Sequence, residues 1–201
     1  MTCRLPWGAP KGMFGTFVAM PTLNWKGLEV KCRETRFHVY PPGSFVVHWL
    51  AVGPYPNPEN KGLDTWYLPE GKTDVESDAS KLQWRLVDAS EEGIIDLREF
   101  FKPEKPSVAY ALTHVYSPDN RKAKILFGSD DGAKVWVNDR PVFVFKKPRG
   151  LVVDEDAFDV NLKKGWNKVM VKVADVGIAW AFSLRFLDPS NKLRFDTKTS
   201  I

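Results

Sequence analysis

The stretch Ala133-Lys-Val-Trp-Val-Asn-Asp-Arg-Pro-Val-Phe-Val-Phe145 decides the architecture. Val135 and Val137 alternate with Lys134 and Trp136, and a second run, Val142-Phe-Val-Phe145, follows at once. Between them stands Asn138-Asp139, a pair that tolerates positive φ and so suits a tight hairpin turn. Period-two alternation on both sides of such a turn predicts two antiparallel strands with one buried face each.

The pattern continues outward in both directions. Toward the C-terminus, Ala157-Phe-Asp-Val160, Lys168-Val-Met-Val-Lys-Val173 and Trp180-Ala-Phe-Ser-Leu-Arg-Phe186 are further strands, with Lys164-Gly165 supplying another turn. Val135, Val137, Val169, Val171 and Val173 are expected to face the interior. Toward the N-terminus, Lys124-Ile-Leu-Phe127 precedes the hairpin. Ser107 to Tyr116 is a longer run with Val108, Tyr110, Leu112 and His114 on one face and Ala109, Ala111, Thr113 and Val115 on the other. Both faces are partly apolar, which fits a central strand covered on each side and makes His114 a structural group. Gly93 to Leu97, Leu82 to Val87, Phe45 to Val52 and Phe37 to Tyr40 complete the strong candidates, the last two separated by Pro41-Pro42-Gly43. Residues 1–35 offer only short strands at Thr16 to Met20 and Leu28 to Lys31. The tail after Asp188-Pro189 is polar and expected to fray.

Composition agrees with many short strands. The 201 residues are 43% apolar and 13% aromatic, with eight Trp and fifteen Pro, and the length suits one all-β domain. The 29 basic and 25 acidic residues are mixed along the chain. There is no basic stripe and no aromatic signature of an RNA-binding sheet, so nucleic acid is excluded as a partner. No run approaches the roughly 20 apolar residues of a membrane helix. Met1 to Gly8 lacks the basic and apolar regions of a signal peptide, as expected of an intracellular protein or of a piece excised from a secreted one. Cys3 and Cys32 suit a single bridge or two separate thiols equally.

Residues 53–81 are dense in Pro and Gly up to Lys72 and polar thereafter, so no regular element is expected through them. A connection this long in a compact domain is commonly functional. It carries Tyr55, Trp66 and Tyr67, either tucked back to anchor the loop or exposed as a platform.

Three motifs, Trp49-Leu-Ala-Val-Gly-Pro-Tyr-Pro56, Gly128-Ser-Asp-Asp-Gly-Ala-Lys-Val-Trp-Val-Asn138 and Leu162-Lys-Lys-Gly-Trp-Asn-Lys-Val-Met-Val-Lys172, resemble, in that order, a galactose-binding-domain-like β-sandwich module. Such modules are attached to bacterial secreted hydrolases, and the Ser129-Asp-Asp-Gly132 turn is also similar to the protective-antigen-like sandwich group. The resemblance spans roughly residues 45–188. It implies an all-β, antiparallel jelly-roll sandwich in one domain, with 1–35 as an N-terminal extension and 189–201 as a flexible tail. It further implies a non-catalytic carbohydrate-binding or accessory role, outside the cell or in the periplasm, with a glycan and neighbouring domains of a parent protein as partners. The turn departs from the usual Asn-Gly at Asn138-Asp139, and the first 35 residues have no counterpart.

On this reading the sugar-stacking candidates are Tyr55, Trp66, Tyr67 and Trp84, with Trp180 in addition. In some relatives paired aspartates hold calcium, which makes Asp130 and Asp131 candidate ligands by resemblance. Their carboxylates equally suit acceptance of backbone N–H groups in a tight turn, and calcium takes about six to eight oxygens where two carboxylates supply too few. Asp154-Glu-Asp156 with Asp159 forms a second acidic group. An alternative class is a structural or protein-interaction domain whose aromatics are core. Enzymatic motifs are missing: there is no Gly-x-Ser-x-Gly, no His-Glu-x-x-His and no Cys-x-x-Cys, and His38, His48 and His114 stand singly. A strand-built metal pair from His38 and His48, or a carboxylate pair for glycoside hydrolysis, is a three-dimensional question.

Overall fold

A computed structural model of the protein describes residues 15–19, 22–25, 28–31, 35–39, 45–70 and 83–197, the first four segments by their backbone. The strands group into two compact units, 1–44 and 45–201. In the first, β1 (Gly15–Ala19) pairs antiparallel with β4 (Thr35–Val39), and β2 (Thr22–Trp25) pairs with β3 (Leu28–Lys31). Cys3, Cys32 and residues 71–82 lie outside the described residues.

The second unit is a sandwich of two antiparallel sheets. One contains β5 (His48–Pro56), β6 (Arg85–Asp88), β8 (Ser107–Ser117), β10 (Ala133–Val137), β11 (Arg140–Phe145) and β13 (Gly165–Ala174), in the order β11-β10-β13-β8-β5-β6, with β15 (Arg194–Asp196) also on β8. The other runs β12-β9-β14-β7, from β12 (Asp156–Leu162), β9 (Arg121–Asp130), β14 (Ala181–Leu187) and β7 (Ile94–Asp96). The hairpin at Asn138-Asp139 joins β10 to β11. Asn138 and Asp139 sit there at φ 49° and 67°, the paired positive values that match the twist of a two-residue turn.

The five valines of β10 and β13 are all buried. They share one core with Ile125 and Phe127 of β9, Val160 and Leu162 of β12, and Phe182, Leu184 and Phe186 of β14. Those contributions from both sheets are what a sandwich requires. β8 is buried on both faces: Ala109, Ala111 and Val115 join that core, while Tyr110 and Leu112 belong to a second cluster on the outer face with Val52, Trp136 and Met170. His114 is buried among them.

Three segments depart from the sequence reading, the first being β5, which runs on to Pro56 where no regular element was expected. The run expected to end as a strand at Leu97 becomes a short helix, α1 (Leu97–Phe101), because the Asp96 carboxylate accepts the Glu99 N–H at 2.8 Å as an N-cap, and Lys102 closes the turn in the left-handed region. The tail expected to fray instead adds β15 to β8. Asp188 accepts the N–H groups of Lys192 and Leu193, Leu193 is buried, and Phe195 packs on the core, so two apolar side chains hold a segment that composition marks as polar.

Candidate functional site

Strand directions place five connections together. The segment after β5, the α1–β8 link, the β9–β10 turn, the β11–β12 loop and the β13–β14 turn all emerge at one end of the sandwich, which contains the best-supported site.

The segment 57–70 carries two single-turn 3-10 helices, at Pro58–Asn60 and Gly62–Asp64, and is fixed by buried polar groups. Asn57 donates through Nδ2 to the Asp175 carbonyl at 2.9 Å and accepts the Gly62 N–H at 2.8 Å. A Cβ on residue 62 would come within 2.8 Å of Asn57 Oδ1 and of Val108, so glycine is what lets the loop close on β8. Farther along, Lys172 of β13 is fully buried and donates to the carbonyls of Leu63 and Thr65, at 3.1 and 2.7 Å, and to Glu70 Oε1 at 2.6 Å. Glu70 also accepts the Tyr110 hydroxyl at 2.6 Å. Burial pushes the Lys172 ammonium down against the pull of Glu70, and burial with the Glu70 charge pushes the Tyr110 hydroxyl far up. Each of the three Lys172 donors has an acceptor, which is the condition for tolerating a buried charge.

The aromatic candidates separate into three kinds. Tyr55 and Tyr67 are half-buried and stacked, with centroids 5.0 Å apart and planes 11° apart, and the Tyr67 hydroxyl donates to the Pro56 carbonyl at 2.5 Å. They anchor the loop on the outer-face cluster. Trp84 packs half-buried on the same cluster, with its indole N–H buried and without a hydrogen-bond partner among the described residues. Trp66 projects from the loop with 69% of its surface exposed. Trp180 falls out of the set: it is 1% exposed, donates to the Val173 carbonyl at 3.2 Å and lies in the core, so its faces meet protein. Its position just before β14 puts it where Leu97 and Arg98 of α1 bond its carbonyl.

Beside the clamped loop lies an open cleft of about 750 Å³. Tyr55 and Phe101 with Pro54, Pro56, Pro103 and Pro106 form apolar walls, and Glu59, Lys102, Glu104 and Lys105 stand at the rim. Phe101 and Lys102 were invisible in the sequence reading because α1 was. The usable signal was the proline punctuation, Pro54-Tyr-Pro-Asn-Pro58 and Pro103 to Pro106, on two segments that flank one opening.

The acidic candidates are occupied by protein. Asp131 is buried, and its two oxygens accept the N–H groups of Arg149 at 3.2 Å and Val176 at 2.8 Å. Burial, then the charges of Asp131 and Asp175, push the Asp130 carboxyl up, against a backbone N–H bond from Leu151. Among the described residues no three Asp, Glu, His or Cys side chains gather as metal ligands. Each Asp131 oxygen thus takes one backbone N–H, the turn-stabilising role that a carboxylate can play there. In the second group, Asp154 pairs with Arg185, Glu155 and Asp156 with Arg149, and Asp159 with Lys124. His48 is exposed and meets Asp88 at 2.7 Å. Among the described residues no helix is long and apolar enough to cross a membrane.

No protein-family model matches this sequence, and no curated protein matches it. Among solved structures, the sandwich is similar to a family 35 carbohydrate-binding module from an environmental isolate, at 18% identity over 43% of this chain and 69% of that one, with a TM-score of 0.34. It is similar to the PA14 sugar-binding domain of an RTX adhesin, at 12% identity over 71% and 90%, with a TM-score of 0.41. It is also similar to 16% of a β-glucosidase from Kluyveromyces marxianus, at 11% identity over 70% of this chain, with a TM-score of 0.43.

Proposed function

We propose that this chain is a non-catalytic carbohydrate-binding module whose glycan stacks on Trp66, with the neighbouring cleft beside Tyr55 receiving further sugar units. One observation carries the reading. A 69%-exposed tryptophan stands on a loop that a buried lysine, a buried glutamate and a buried asparagine hold in place. Exposing a large aromatic forgoes burial energy, so a rigid loop that presents one is better explained by a ligand than by stability. Rigidity also removes the ordering cost that a mobile loop would pay on binding. The flat indole face suits the C–H face of a sugar ring, and the rim charges are placed to bond hydroxyls. Outside the cell or in the periplasm, joined to other domains, is the setting this role implies.

A glycan array probed with the intact chain, followed by affinity electrophoresis in the retained polysaccharide, tests the proposal. Retardation of the wild type and free migration of Trp66→Ala are expected; an array that retains no glycan refutes it. A second reading, protein contact, is favoured by Ile178, which is 90% exposed at the same end. It predicts an empty array together with a partner interface that Ile178→Asp disrupts.

A further inference from the structure

The opposite end of the sandwich holds a second cleft, of about 590 Å³, where the edge strands β11 and β12 part and leave a mouth between the sheets. Its floor is aliphatic, from Val137, Val142, Val160 and Leu162. Its frame is rigid. Buried Asn167 accepts N–H groups from Asn138 Nδ2 at 2.7 Å and from the Lys163 backbone at 2.8 Å, and donates to the Lys163 carbonyl at 2.8 Å. Asn120 Oδ1 accepts the Lys164 N–H at 2.7 Å. The three turns around the mouth are thereby fastened to one another.

The charges there do not cancel. Asp119 pairs with Arg121, Asp139 with Lys168, and Asp159, which itself lines the cleft, with Lys124, so each of these carboxylates already has a cation. Arg140 and Lys163, one from each side of the cleft, are exposed and have no acidic partner among the described residues. Asn161 is likewise exposed, and its amide has no hydrogen bond among the described residues. Two spare cations, a free amide and an apolar floor in a preorganised cleft match a ring compound with an oxyanion on one side.

We infer that this cleft is a second binding site, specific for an anionic saccharide, whose acidic group meets Arg140 and Lys163 while its hydroxyls meet Asn161. Arg140 presents the fork that pairs with a carboxylate or sulfate through two bonds, and Lys163 adds a point charge. The site shares only its ligand class with the proposal for Trp66, and the two stand or fall separately.

The test uses the full ¹⁵N-labelled chain, titrated with tetragalacturonate, with its methyl ester, with a sulfated galactan tetrasaccharide and with inorganic phosphate. Tetragalacturonate or the sulfated sugar is expected to shift the backbone signals of residues 138–142 and 161–164, at least tenfold more weakly for the ester and progressively less with added salt. Arg140→Gln with Lys163→Gln is expected to abolish the response at an unchanged melting temperature, and Arg140→Lys with Lys163→Arg to retain it. Trp66→Ala is expected to leave it intact, which separates this site from the other. Equal response to acid and ester, an unaffected Gln double variant, no response to either acidic sugar, or phosphate shifting the same signals as strongly would each overturn the inference.

Discussion

At one end of the sandwich the chain reverses at 118–120, 138–139 and 163–164, in turns whose polar groups are spent on one another through Asn167, Asn138 and Asn120. At the other, beside the two-residue β9–β10 turn, it makes longer excursions, as at 146–155, pinned by buried and part-buried ion pairs: Lys172 to Glu70, Arg98 to Asp175 at 3.0 Å, and Arg149 to Asp156. The difference shows two solutions to one problem. A short turn can satisfy its backbone with a neighbouring amide side chain, whereas a long one must reach into the fold for an anchor. The anchor for the Trp66 loop lies 102 residues away in sequence from the glutamate it binds.

Both ends depend on a common core, so the largest effect is expected there. Val171→Asp places an unpaired charge in the shared interior and is expected to cost more than about 4 kcal/mol, seen as loss of the cooperative melt. Next comes the anchor. Lys172→Ala removes one partner of a buried ion pair and should cost about 3–5 kcal/mol, whereas Lys172→Met with Glu70→Gln, which leaves no buried charge and keeps an acceptor for Tyr110, should recover part of that loss in urea unfolding. Asn167→Ala, at the other end, strips hydrogen bonds from two turns and should cost about 1–3 kcal/mol, with faster amide exchange confined to residues 138–140 and 163–167. If Asn167→Ala were to release the Trp66 loop as well, the two ends would not be independent.

The smallest effect belongs to Asp64, on the rim of the clamped loop. Hydrogen bonds from Lys146 and Lys134 hold its carboxyl at about 2. A folded value below the unfolded one stabilises above the unfolded pKa, so the contribution is present at neutral pH and lost as pH falls from about 4 toward 2. Asp64 and Lys146 are both more than half exposed, which limits Asp64→Asn to less than about 1 kcal/mol, visible as a shallower loss of stability between pH 5 and 2. Calcium or EDTA should leave the melting temperature unchanged if Asp131 serves only to accept the N–H groups of Arg149 and Val176.

The sandwich was legible because alternation is a local property: Val135, Val137, Val169, Val171 and Val173 announce their face within a few residues. The site was legible only in part. Proline and glycine marked the loop, and three rings within it were candidates, yet their division into the stacked pair Tyr55–Tyr67 and the exposed Trp66 is set by Lys172, whose place in an alternating strand gives no hint of its distant partner. Trp180 misled for the same reason, since an aromatic at a strand boundary reads alike whether it faces solvent or Phe101, 5.6 Å away. The helix α1 hid because five residues are too few for helical periodicity, and its capping Asp96 sat inside a plausible strand.

The central claim is that Trp66 is a binding platform and Tyr67 its support. It is tested most directly by measuring glycan affinity and melting temperature on Trp66→Ala and Tyr67→Ala side by side. Trp66→Ala should lose at least tenfold in affinity with stability changed by less than about 0.5 kcal/mol, as expected for a surface substitution. Tyr67→Ala should lose stability by about 1–3 kcal/mol, the usual range for a change that breaks packing. A Trp66→Ala variant that melts lower while binding its glycan as tightly as the wild type would contradict the account.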